Sequence, residues 1–161
     1  MKDVIFVENV IINFKLGVVI IEKDVLSSLK ININKETGGV LYGFKLKENN
    51  EYVICGCTKK QNDDESSEYS FYRKDKKHFE IIKQLWLKDK TIMYLGDWHY
   101  HPAKYVNASN TDYESFKENC LSSKTNSKYM FNIITSINEI EVFIWNKKNN
   151  EMFYREKILI Y

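Results

Sequence analysis

Gly96-Asp97-Trp98-His99-Tyr100-His101-Pro102, continuing to Ser109 and Asp112, holds two of the chain's three histidines and its only proline. Just upstream, Thr91–Leu95 reads as a buried strand that runs out at Gly96. Alternate residues of an extended segment point to one side, so His99 and His101 present both imidazoles together at a strand end. Two such rings can bind one metal ion, and a third ligand must come from elsewhere. Ser109 reads as the N-cap of the next helix, through about Leu121, with Tyr113, Phe116 and Cys120 on one side. Asp112 then falls at N3, in the first turn, facing back towards the preceding strand. Two histidines and a carboxylate form a ligand set of catalytic zinc that leaves a position for water. Each part also has a plainer reading. His-x-His is common among surface and packing residues, and Ser109-x-x-Asp112 is also a capping box. Asp112 as a ligand does not prevent Ser109 from capping.

Outward from this stretch the chain alternates between two periods. Towards the N-terminus, Val4–Val7, Val10–Phe14 and Val18–Ile21 read as strands, and Asp24 as the N-cap of a short helix through about Ile31. Gly38–Phe44 and Tyr52–Cys57 read as further strands, the first of them buried. Lys59–Ser70 is polar and charged and reads as a loop, with Asp63, Asp64 and Glu65 keeping it solvated. A helix follows over about Lys74–Lys88, with Phe79, Ile82, Leu85 and Trp86 on its apolar face and His78 on its solvated side. Tyr129–Ile134, Ile140–Trp145 and Met152–Ile160 complete the chain as strands. The expectation is one α/β domain of the α+β type over residues 1–161, a mixed β-sheet flanked by about three helices.

Bulk properties narrow the function. Lys and Arg number 24 against 22 Asp and Glu, a formal +2, which argues against a dedicated nucleic-acid binder. The N-terminal apolar residues are interrupted by Asp3, Glu8, Asn9, Asn13 and Lys15, so no membrane span or signal peptide is expected. Three cysteines, Cys55, Cys57 and Cys120, have no framework spacing and read as reduced thiols of a cytoplasmic protein. Cys55 and Cys57 fit small apolar side chains of a strand better than a thiolate metal site. Trp98 reads as a packing residue.

Glu36-Thr37-Gly38-Gly39-Val40-Leu41-Tyr42-Gly43, then His99-x-His101, seven residues and Ser109-x-x-Asp112, resembles the JAMM signature of the JAB/MPN metalloproteases. The Glu-x-Gly-Gly block and Gly96-Asp97-Trp98-His99-x-His101-Pro102 are similar to the bacterial stand-alone branch, which includes the deconjugating protease of CBASS anti-phage operons. The resemblance implies an MPN-like fold and one Zn²⁺ held by His99, His101 and Asp112. It makes Glu36 the general base and acid acting on the bound water, and gives Ser109 a part in holding the oxyanion. It implies hydrolysis of an isopeptide or peptide bond after the C-terminal tail of a ubiquitin-like modifier, so that the partner is a protein substrate. Alternatives are trimming of a linear precursor, such as a ubiquitin-like sulfur carrier, and a non-catalytic MPN-type binding module. Tyr100 departs from the pattern, because a small Ser or Thr is usual between the histidines. Strand alternation turns it away from the metal.

Overall fold

The computed structural model describes residues 8–47 and 50–160. The strand expected at Val4–Val7 lies outside them. In chain order the elements are β1 (Val10–Phe14), β2 (Gly17–Ile21), α1 (Lys23–Leu29), β3 (Thr37–Lys45), β4 (Glu51–Cys57), β5 (Glu65–Ser66) and β6 (Phe71–Tyr72). They continue as α2 (Lys77–Lys88), β7 (Met93–Tyr100), α3 (Asn110–Ser122), β8 (Tyr129–Thr135), β9 (Glu139–Asn146) and β10 (Glu151–Leu159). Eight strands form one mixed sheet in the order β1-β2-β4-β3-β7-β8-β9-β10. β2 runs parallel to β4, and β7 parallel to β8; the other neighbours are antiparallel. The sheet curls until its edges approach, with the Phe14 and Phe153 rings 5.9 Å apart.

Hydrophobic side chains on both faces of the central strands create two cores. On the α1 face, Val25, Leu26 and Leu29 pack with Leu41, Trp98, Tyr100 and Phe131. On the other, Ile82 of α2 and Phe116 and Cys120 of α3 pack with Val40, Met130, Ile134 and Phe143. Strands apolar on both faces are expected for the middle of a covered sheet, and β8 is buried at every position. β7, α3 and β8 form a parallel crossover, so the carboxyl end of β7 and the first turn of α3 meet at the sheet rim, where α/β ligand sites collect.

Four local expectations are corrected. β7 continues through Gly96 to Tyr100. A bulge against Leu41–Tyr42 absorbs the extra residue, and Gly96 takes φ 152°, a conformation L side chains rarely adopt. A Cβ there would also meet the Phe131 carbonyl at 1.7 Å. Second, the N-cap of α1 is Glu22, not Asp24, which lies in the first turn. Third, the 59–70 segment includes β5, which pairs with β6, and Asp64 is buried. Fourth, His78 is fully buried, because it lies one turn before Ile82 and therefore on the same helix face.

Candidate metal centre

Antiparallel pairing sets the site. In the β3–β7 register Thr37 faces Tyr100 and Gly38 faces His99. One step further along, Glu36 comes beside His101. His99 and His101 project from one side of β7, whereas Trp98 and Tyr100 project into the opposite core. Tyr100 has no exposed surface, and its hydroxyl donates to the Ile33 carbonyl at 3.3 Å. Trp98 is likewise a packing residue whose Nε1 donates to the Thr58 carbonyl.

Asp112 arrives from α3. Ser109 is the N-cap, its hydroxyl accepting from the Asp112 amide, and Asp112 at N3 completes the capping box. The carboxylate divides its two oxygens. Oδ2 accepts from the Ser109 amide at 2.6 Å and from the Ser109 hydroxyl at 2.9 Å. Oδ1 faces the imidazoles, 2.9 Å from His99 Nε2 and 3.6 Å from His101 Nε2. Capping therefore aims the other oxygen into the site. The connecting loop is pinned as well: the His101 amide donates to the Thr135 carbonyl, and the Val106 amide to Glu139 Oε2.

His99, His101 and Asp112 are a group of residues that could hold a metal ion. The two Nε2 atoms lie 3.0 Å apart. Tetrahedral zinc at ~2.0–2.2 Å from each donor requires neighbouring donors roughly 3.3–3.5 Å apart. The three observed separations of 2.9, 3.0 and 3.6 Å straddle that value, so the donor set fits zinc. Cys55 and Cys57 are free thiols on β4. Burial, with Glu22 and Asp89 nearby, pushes the Cys55 thiol up to about 11, which opposes the thiolate form a metal needs.

Glu36 stands back from the group, its Oε1 3.9 Å from His101 Nε2. Burial raises its carboxyl above the ordinary carboxylate range, against the pull of His101 and His99. Burial also works to raise Asp112, but the imidazoles and the Ser109 amide outweigh it and hold that carboxyl well below the usual range. His101 is raised, because Asp112 and Glu36 overcome the effect of its burial. The two carboxyls of the site are thus shifted in opposite directions, Glu36 up and Asp112 down. Glu36, His99, His101, Ser109 and Asp112 all line one cleft of about 720 Å³. A second cleft of about 850 Å³ between α2 and α3 adjoins it and shares Arg73 and Asn119.

Asp97, inside the opening stretch, had no role assigned from sequence. It is buried on the His99 side of β7, paired with Arg73 (Nε–Oδ1 3.1 Å) and accepting from the Tyr94 hydroxyl. The signal was present: an acidic residue in a buried strand, two before a histidine, must find a partner. Arg73 also sits over the Phe79 ring at 5.0 Å, which fixes it at the junction of the two clefts.

No helix among the described residues is long and apolar enough to cross a membrane. No family model matches the chain. It is 29% identical over 116 residues to a curated CD-NTase/cGAS isopeptidase from Enterobacter hormaechei subsp. hoffmannii (strain UCI 50). That match covers 71% of this chain and 62% of the relative's length. The fold is similar to the solution structure of a protein from Desulfitobacterium hafniense, with a TM-score of 0.56, 16% identity, and coverage of 86% of this chain and 88% of that one.

Proposed function

We propose that this chain is a zinc-dependent isopeptidase or peptidase of the JAMM type. In this reading it hydrolyses the amide bond that follows the C-terminal tail of a ubiquitin-like modifier or its conjugate, within bacterial anti-phage defence. The observation that carries the reading is the convergence of Glu36, His99, His101, Ser109 and Asp112 in one cleft with zinc-compatible donor spacing. The likeness to a curated isopeptidase supports the substrate class.

His99, His101 and Asp112 would hold the ion. Bound zinc supplies Lewis-acid charge and lowers the pKa of water from ~15.7 to ~7. Glu36 takes the proton from the attacking water and returns it to the departing nitrogen, a task suited to a carboxyl whose pKa burial has raised. The Ser109 hydroxyl, which donates to Asp112 at rest, turns to the oxyanion as negative charge develops. A flexible tail bound here would lie extended against a sheet edge, since main-chain pairing suits such a substrate.

The test is metal analysis followed by one substitution. Purified protein is expected to carry one equivalent of zinc. Glu36→Gln should retain the zinc and lose hydrolysis of a lysine-linked conjugate by at least ~10²-fold, the lower range for a general acid–base group. Folded wild-type protein with no affinity for zinc sinks the proposal. Full activity in Glu36→Gln removes Glu36 as the base. Comparing the conjugate with a linear fusion separates isopeptide cleavage from precursor trimming.

A further inference from the structure

Asp64, His78 and Thr58 form a buried chain of polar groups on the α2 side of β3. His78 Nε2 lies 2.7 Å from Asp64 Oδ2, and His78 Nδ1 lies 2.5 Å from Thr58 Oγ1. Thr58 Oγ1 also accepts from the Val40 amide at 2.9 Å. Where the Thr58 hydroxyl donates to Nδ1, it is Nε2–H that donates to Asp64. The order Thr-His-Asp resembles that of a hydrolase triad. Here, however, His78 has no exposed surface and Thr58 only 4%, so no substrate reaches the hydroxyl.

We propose that Asp64 and His78, through Thr58, are positioning residues that hold the β5–β6 hairpin, and with it Glu36, in place beside the histidine pair. The inference rests on the reading of Glu36 as the proton carrier. Asp64 is the knot. Its Oδ1 accepts from the amides of Lys74 and Asp75, and its Oδ2 from the Gln61 amide and His78. One carboxylate thus closes both ends of the 61–75 segment and ties them to the first turn of α2. Within that segment the hairpin grips Glu36. The Glu36 amide donates to the Ser67 carbonyl at 2.8 Å, the Ser66 hydroxyl donates to the Glu36 carbonyl, and the Phe71 amide acts on the Glu36 carboxylate.

Two features make this grip separable from metal binding. The three ligands lie on β7, just beyond its end, and on α3, held by the capping box and the β7–β8 pairing. The hairpin meets Glu36, and its Phe71 ring lies against Gly38. The contact of the clamped segment with β7 is Arg73 on Asp97, which is not one of the three ligands. Thr58 itself comes close because Gly39 has no Cβ: one built there would stand 2.1 Å from the Thr58 carbonyl. The second glycine of the Gly-Gly pair thus serves the clamp.

The experiment compares wild type, His78→Leu, Asp64→Asn and the polar replacement His78→Gln, which can accept from Thr58 and donate to Asp64. Ser66→Ala is a milder arm at a half-buried position, removing one of the three hydrogen bonds to Glu36 and leaving those with Ser67 and Phe71. Hydrogen exchange and zinc titration are measured on each protein. The expected result is exchange at least about tenfold faster at Glu36 and the 65–72 amides, with β7 and α3 unchanged. Zinc affinity should stay within about threefold of wild type, and His78→Gln should recover most of the protection. Uniform loosening, a parallel loss of zinc affinity, or unchanged protection at Glu36 in both His78→Leu and Asp64→Asn overturns the proposal. Hydrolysis of a conjugate by wild type is measured separately. Its absence counts against the enzymatic reading while exchange still judges the clamp. Where it is present, kcat should fall in the Leu variant with KM little changed.

Discussion

Tyr100 stands between two cleft-facing histidines yet packs into the other face of the sheet. Its ring belongs to the α1-side core, with no exposed surface. Its bulk therefore fills space under α1 rather than shaping the cleft. Tyr100→Phe removes only the hydroxyl bond to Ile33, about 1 kcal/mol. Tyr100→Ala opens a core cavity and should cost about 3–5 kcal/mol, as for other buried aromatics. Both variants should bind zinc with wild-type stoichiometry wherever they fold. Urea unfolding with parallel metal analysis checks this, and loss of zinc in Tyr100→Phe would show that the alternation argument fails. Alternation along β7 made this orientation legible in the sequence. His78 was not legible in the same way. Taking Phe79 as part of the buried stripe rotated α2, whereas Phe79 is 42% exposed and His78 shares the face of Ile82. A histidine whose partners are 14 and 20 residues away leaves no local signal of burial.

The first turn of α3 combines two functions in one short motif. Ser109 caps the helix and, in the proposed reaction, stabilises the oxyanion; Asp112 closes the box and faces the imidazoles. These roles separate by substitution. Ser109→Ala should lose about 1 kcal/mol of stability, and Ser109→Gly only a few tenths, because Gly is itself tolerated at an N-cap. Both should lose about 10²–10³ in kcat if the hydroxyl serves the oxyanion. Activity that tracks stability across the two variants would instead reduce Ser109 to a cap. This motif was readable because cap, spacing and helix period agree over Ser109–Leu121. The β3–β7 register was not readable: it depends on a bulge at Gly96, and the same glycine looked like a strand end. Pairing between residues 50 to 63 positions apart is set by cross-strand packing that a single segment does not encode. The β5–β6 hairpin, two residues per strand, is too short to show any period.

At the scale of the whole molecule, the proposed ion would join two separately supported parts. His99 and His101 come from the sheet, and Asp112 from a helix held by the second core. Neither core depends on the ion for its packing, so metal removal should loosen the fold rather than abolish it. Zinc binding only to the folded chain adds about 2.7 kcal/mol at a hundredfold excess over Kd, and about 4.1 at a thousandfold. For a chain of this size each kcal/mol moves Tm by ~2–4 °C, which gives a rise of roughly 5–15 °C. Chelator should reverse the rise completely, leaving a cooperative transition. His99→Ala should keep that lower transition and show no response to zinc. Glu36→Gln should respond as wild type, because Glu36 lies outside the ligand group. Thermal scans of the three proteins, with zinc and with chelator, check this pattern. A wild-type Tm that ignores zinc across the titration excludes a site built from these three residues. A His99→Ala protein that still responds moves the ion elsewhere.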